Sequence, residues 1–556
     1  MSKPSVSIQK IITKDSTEIT LSEDDKVIVV GSNNSGKSQF LREIFNFTIQ
    51  LNNQPYFIVD DLKLHKVGDL DDLVSYLEAE GTEDQNYYKL NNWRLNKNQI
   101  QGWNGKLLNN SLSAGFIKNI EAKERLNVCD QQNSISPEDN KSKPQHVLYQ
   151  NDELMDKVSS VFREAFGKDL IIDYKGGNKI PIHVGEKPTG EAFLDRVGIE
   201  YIDYVRKSPL LDQQGDGMKS YAGILFETIV NDVDITLIDE PEAFLHPPQM
   251  RKLGATLVSE VCGQLFVATH SSDILRGFLE ESKGNIKILR ISRNGSLNSF
   301  FESPKDSIRK LWTQPELRYS NALEGIFHEQ TIICEHDGDC KLFNSVADHL
   351  EGHSERQWLD TAYVPTGGKH AIPKVAGLLR EIGVPTKAIF DIDFLSEQYL
   401  VRKTVESFGG EWKNFEQTWK CLDAAVRKGI TPLNVEEIKD RIIQILKHSE
   451  TDKIPKSEID EALKSGKEWN KVKKHGESII PNGDAQKYFN TILNDLESIG
   501  IYVIREGQIE NFCKEVGSHG PKFVKKLLSD YDFNDEKLSN LLKFVKNVSK
   551  GKCCVL

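Results

Sequence analysis

The sequence predicts an α/β chain in two halves, each built on a buried parallel sheet that delivers polar side chains at its carboxyl edge. Three stretches predict it. VIVVGSNNSGKS, residues 27–38, runs an apolar strand into a glycine turn and a lysine-serine pair, and ITLIDEPEAFLHP, residues 235–247, ends a second apolar run in Asp239 and Glu240. Beyond residue 330 the order is strand, helix, strand, helix, strand, with Glu335 after the first strand and Asp391 and Asp393 after the third.

A chain of 556 residues is long enough for about two to four domains and needs no disulfides to hold a core. Its eight cysteines are scattered without paired metal spacing, which fits a reducing cytosol and a cytoplasmic protein. No apolar run approaches a membrane span, so no membrane partner is expected. The net charge of -12 presents no general basic surface to nucleic acid. Any DNA contact must be local, or bridged by metal ions on carboxylates.

In chain order, SVSIQKII and EITL read as two strands leading into the Val27–Val30 run, and QFLREIFNF after the loop has helical apolar spacing. The strand, loop and helix order suits a phosphate-binding loop: the backbone of Asn33, Asn34, Ser35 and Gly36 can wrap a phosphate chain, Lys37 can reach the β- and γ-phosphates, and Ser38 can ligate Mg²⁺. ATP is the expected nucleotide. Residues from about 50 to 200 are polar and weakly periodic, and are read as an inserted arm without chemistry of its own. Asp239 would hold the Mg²⁺ shell and Glu240 would orient and deprotonate the attacking water. His270, ending the buried run LFVATH, can reach the γ-phosphate. Glu242 and His246 also admit a plainer role as caps of the turn after Asp239-Glu240.

In the second half, QTIICE, TAYVPT and TKAIFDIDF are the three strands. Carboxylates gathered at their ends repel one another, and a divalent metal, Mg²⁺ or Mn²⁺, sustains such a group most easily. A helical insertion at about 400–480 carries KSGKEWNKVKKHG, where Lys464, Lys467, Lys471, Lys473 and Lys474 surround Trp469. That run reads either as a grip on a phosphate backbone with an aromatic to stack on a base, or as a solvated lysine face. After the strand IYVIR, Glu506 and Glu510 share a face if the chain turns helical there. The final residues Cys553-Cys554-Val555-Leu556 have the form of a prenylation box, to which no membrane role is attached.

The first half resembles the ABC-type ATPases of the SMC, RecF and OLD group. In that group the stretch before Asp239, here Gly215-Asp216-Gly217-Met218-Lys219-Ser220, caps a helix whose N-terminus docks on the γ-phosphate held by another subunit. The resemblance implies a homodimer or higher homo-oligomer through the ATPase domains, with Ser220 at the nucleotide. The GDGMKS form departs from the SGGQ of transporter cassettes, and no glutamine of the family's Q-loop stands out in the arm. The second half resembles the Toprim domain, a Rossmann-like fold whose metal-binding glutamate and DxD motif fall on Glu335, Asp339, Asp391 and Asp393, with His336 where the family usually has glycine.

ATPase then Toprim is the domain order of OLD-family endonucleases, including the Gabija-type and retron-associated proteins of prokaryotic antiviral defence. The resemblance implies an ABC-type P-loop ATPase domain at residues 1–310 and a Toprim nuclease domain at 311–556. It also implies that Glu506 and Glu510 complete a second metal site and that a downstream lysine stabilises charge: Lys522, with Lys525 and Lys526 as rivals. The expected activity is ATP-regulated, metal-dependent DNA cleavage with DNA, ATP and a defence-system partner protein or nucleic acid as ligands. The alternative is a non-cleaving, ATP-driven clamp or sensor that recruits an effector.

Overall fold

The computed structural model describes residues 3–50, 55–91, 93–136, 139, 141–190, 194–314, 321–354, 358–430, 435–447, 454–456, 459, 462, 463 and 467–551. Lys464 and the C-terminal Cys553-Cys554-Val555-Leu556 lie outside them. The chain divides into two compact units, Met1–Arg318 and Tyr319–Leu556.

The first unit is organised on a six-stranded sheet in the order Leu297–Glu302, Lys287–Asn294, Lys26–Val30, Gln264–Ala268, Ile235–Asp239, Ile117–Ile120. All neighbours are parallel except the Leu297–Glu302 edge. Val27 to Val30 are fully buried, the continuous apolar run of a strand covered on both faces. The Lys37–Thr48 helix buries Phe40, Leu41 and Ile44 at helical spacing. Because the strand ending near His270 lies between the P-loop strand and the Asp239 strand, three strand ends open onto one edge.

The stretch from 50 to 200 is more than an inserted arm. Val59–Val67 pairs antiparallel with Ser5–Thr13, and Ile117–Ile120 forms the sheet edge beside the Asp239 strand. Phe116, Leu112 and Trp103 belong to the same hydrophobic core as Val27 and Leu237. The polarity that hid these elements has a physical cause: IKNI is four residues long with only its two isoleucines buried, and VDDLKLHKV buries two of nine.

The second unit has a four-stranded parallel sheet, Thr361–Pro365, Gln330–Cys334, Thr386–Phe390, Ile501–Val503, the middle pair being the two strands that precede Glu335 and Asp391. Between the third and fourth strands, before the helix Asp484–Ser498, come the helices Gln398–Ser407, Trp412–Gly429, Val435–Lys447 and Glu468–His475. Val435–Lys447 buries no residue. Trp469 and Val472, three apart on the last of them, are both buried.

Candidate nucleotide and metal sites

In the first unit the loop after Lys26–Val30 folds around its own lysine. Lys37 is buried and its Nζ donates to the carbonyls of Gly31 and Ser32, each at 2.8 Å. Burial brings it down to about 8, against the pull of Glu240, Glu242 and Asp239. Ser38 Oγ donates to Asp239 Oδ1 at 2.9 Å, so the hydroxyl and carboxylate expected to share Mg²⁺ are in contact. Asn33 and Asn34 are exposed at the loop tip, with Asn34 in the left-handed region at φ 60°, while Ser35 is buried and its hydroxyl has no hydrogen-bond partner. These residues and Gly36 suit a nucleotide phosphate chain and its cation: backbone donors, a lysine, and a hydroxyl-carboxylate pair of the right chemistry.

Glu240 is exposed and adopts φ 47°, an uncommon conformation for a residue with a Cβ. Its backbone is fixed on both sides: its N–H donates to Ala268 O at 2.9 Å, and its carbonyl accepts from Arg125 Nη2 at 2.7 Å. Arg125 Nη1 also donates to Asp239 O at 3.3 Å. Arg125 is fully buried, and the cluster of Glu242, Asp239 and Glu240 compensates its charge; burial still lowers it to about 10. Nothing in the spacing of the sequence marks this arginine. Replacing it with methionine strands two carbonyls, and an Arg125→Met chain is expected to lose about 2–4 kcal/mol of stability. Urea unfolding measures this, and an unchanged midpoint would show that the guanidinium is dispensable.

Glu242 does more than cap a turn. It is partly buried, accepts from Thr269 Oγ1 at 2.8 Å and from His270 N at 2.6 Å, and so ties the segment after Asp239 to the strand end that carries His270. Ser220 departs from its expected place at the nucleotide. It is fully buried on the Asp216–Leu225 helix and its hydroxyl donates inward to Ala243 O at 3.2 Å, so within this chain it packs the helix.

In the second unit Glu335 follows Gln330–Cys334, while Asp391 and Asp393 follow Thr386–Phe390. Burial, with Glu335 and Asp393 nearby, pushes Asp391 up to about 7 against the pull of Lys473. Glu335 is raised by burial and by Asp393, and its Oε1 is buried without a hydrogen-bond partner. Asp339 caps the Asp337–Gly352 helix by accepting from His336 N at 3.0 Å; burial, Asp391 and Glu510 push it up to about 6. Glu335, Asp339, Asp391, Asp393 and Glu510 are thus electrostatic neighbours.

The other expected residues separate from this group. Ile509–Phe512 is a 3-10 turn that begins after Glu506, so Glu506 and Glu510 do not share a helical face. Glu510 Oε1 accepts from Gly520 N at 2.8 Å, whereas the charges around Glu506 are Glu477 and Arg505. Lys522 is exposed on the Pro521–Asp530 helix. Trp469 is buried and its Nε1 donates to Asp423 Oδ1 at 2.8 Å, so it is a packing residue and offers no face to a base.

Two lysines fill the space between the carboxylates. Lys473 Nζ lies 2.8 Å from Asp391 Oδ2 and 3.1 Å from Asp393 Oδ1. Lys369 Nζ lies 3.0 Å from Asp393 Oδ2 and 2.9 Å from Glu397 Oε1. Together they hold the Asp393 carboxyl below its ordinary range despite burial. Among the described residues no group of three or more His, Cys, Asp or Glu side chains stands ready to hold a metal ion. The chemistry of the donors nonetheless fits a hard divalent cation, with an orphaned buried oxygen on Glu335 and paired aspartates beside it. Lys369 follows the second strand in TGGKH, a strand-end position that gave the one available signal; Lys473 sat unmarked in its lysine run.

Residues 326–393 match the family model for the Toprim domain of overcoming lysogenization defect (OLD) protein-like proteins. The second unit carries an OLD-like Toprim domain. Residues 64–276 match a model described as an AAA domain, putative AbiEii toxin of a type IV toxin-antitoxin system, so an ATPase-type domain precedes the Toprim domain. The chain is 23% identical over 288 residues to the Old nuclease of Escherichia phage P2; the match covers 50% of this chain and 42% of that protein, less than half its length. The two family matches follow one another in the chain, the ATPase-type domain first and the Toprim domain second. Among solved structures, the chain is similar to an Smc head bound to the C-terminal winged-helix domain of ScpA (TM-score 0.32, 14% identity, 53% of this chain and 97% of that one). It is also similar to the SMC head domain from Thermotoga maritima (TM-score 0.29, 11% identity, 53% and 99%). Among the described residues no helix is long and apolar enough to cross a membrane.

Proposed function

We propose that this chain is an ATP-regulated, divalent-metal-dependent DNA endonuclease of antiviral defence, in which Glu335, Asp391 and Asp393 form the cleavage site and the Gly31–Ser38 loop with Asp239, Glu240 and His270 the ATPase site. The observation that carries the reading is the convergence of Glu335, Asp391 and Asp393 from two adjacent parallel strands on one sheet edge. Bound there, Mg²⁺ or Mn²⁺ would activate water and stabilise the leaving oxygen of a phosphodiester. The chain's own part is to hold the carboxylates together at that edge. Asp339 and Glu510, which share an electrostatic neighbourhood with Asp391, are the candidates for a second ion, with Glu506 as an outlying member. Hydrolysis of a phosphodiester is downhill, so ATP governs access to the site instead of powering it. One P-loop and one Asp216–Leu225 helix per chain suit a two-fold pair of ATPase domains. The defence role and a defence-system partner rest on the resemblance to Gabija-type and retron-associated proteins.

Supercoiled plasmid is the test. The purified chain is expected to nick it with Mn²⁺ or Mg²⁺ and to stop when EDTA is added, and an inert chain with both metals would defeat the proposal. The pairing of Asp391 and Asp393 with lysines favours a second reading, a clamp or sensor whose Toprim fold is a scaffold. That reading expects ATP hydrolysis without any metal binding at the Toprim carboxylates.

A further inference from the structure

Lys473 reaches the carboxylates from outside the four-stranded sheet, on the Glu468–His475 helix of the insertion. Its backbone is mounted against the loop that follows Ile501–Val503. Gly507 has φ 109°, and a Cβ there would run into the carbonyl oxygen of Lys473; Gly476 has φ 71°, and a Cβ there would lie 2.6 Å from Glu506 O. Hydrogen bonds close the same seam. Asn511 Nδ2 donates to Lys473 O at 3.0 Å and to Glu506 O at 2.5 Å, and Glu477 N donates to Arg505 O at 2.8 Å. One turn earlier, buried Trp469 anchors the helix through Asp423. A lysine meant only for solvent needs no such mounting.

We infer that Lys473 is the resident cation of the Toprim site, a positioning residue that holds Asp391 and Asp393 together until a divalent ion displaces its ammonium group. The inference rests on the metal reading proposed above. Two carboxylates two residues apart at a strand end repel, and an ammonium at 2.8 and 3.1 Å from their oxygens balances them. An ion bridging this pair draws on the same two carboxylates, so ion and ammonium compete. Lys369 is a different case, because it takes the other oxygen of Asp393 and Glu397 and does not bridge the two aspartates. The buried Glu335 Oε1, without a hydrogen-bond partner, is an acceptor that the ion would use and the Lys473 ammonium does not. Metal affinity is then set by how firmly the insertion seats its lysine.

Calorimetric Mn²⁺ titration of the full chain without nucleotide tests this, with the Asp391→Asn isotherm subtracted to isolate the Toprim site. Lys473→Met is expected to bind Mn²⁺ about tenfold tighter or more than wild type, since one positive charge is removed from the ion's first neighbours. Its metal-free melting temperature falls, and Mn²⁺ raises it by more than it raises that of wild type. Lys473→Gln, uncharged but able to hydrogen-bond, is measured beside it and must move the same way, whereas Lys369→Met changes the affinity less. Equal or weaker Mn²⁺ affinity in both Lys473 variants, beside a clear wild-type isotherm, overturns the inference. If neither wild type nor the Lys473 variants show any Asp391-dependent Mn²⁺ binding, the metal reading fails first.

Discussion

Asp391→Ala is expected to reduce plasmid nicking by about 10³-fold or more, the equivalent of losing about 4 kcal/mol of transition-state stabilisation. Asp391 links the members of the group: Glu335, Asp393 and Lys473 act on it, and it acts in turn on Asp339. Its side chain keeps 20% of its exposure, which is enough for an ion or a substrate oxygen to reach it and too little for solvent to replace it. The fold should tolerate the change, because Asp391 lies at the exit of its strand and Lys473 keeps Asp393 as a partner. Nicking by the variant at the wild-type rate would remove Asp391 from the reaction.

Glu240→Gln should slow ATP hydrolysis by about 10² to 10⁴-fold while leaving ATP binding nearly intact. The nucleotide contacts expected of Lys37 and Ser38 do not involve the Glu240 side chain. Its carboxylate is exposed beside Asp239 while Arg125 and Ala268 fix its backbone, the arrangement of a group that is aimed but unencumbered. Glutamine keeps the shape and cannot take a proton from water. A phosphate-release assay paired with a nucleotide-binding titration separates the two effects, and equal losses in both would assign Glu240 to binding.

Legibility in the sequence followed locality. The P-loop, the Asp239-Glu240 pair and the DxD motif each sit in one short window, with a buried strand just before it, and the chain order alone exposes them. Contacts that depend on distant segments were hidden. Arg125 lies 114 residues from Asp239, in a stretch too polar to read as part of the core. The lysine run around Trp469 reads either as a grip on nucleic acid or as a solvated face because charge outnumbers apolar residues there; the i, i+3 pair Trp469 and Val472 is the sign that one face turns inward. Glu506 and Glu510 were joined by an assumed helix, and a 3-10 turn starting at Ile509 separates them.

The left-handed backbone at Glu240 has a practical corollary. A residue with a Cβ at φ 47° carries about 1 kcal/mol that glycine would not. Directed evolution that scores only heat resistance therefore has an easy step open to it at position 240, and taking that step discards the carboxylate. Thermostable variants of this chain selected without an ATPase readout should be sequenced there first, since robustness and turnover pull that one backbone position in opposite directions.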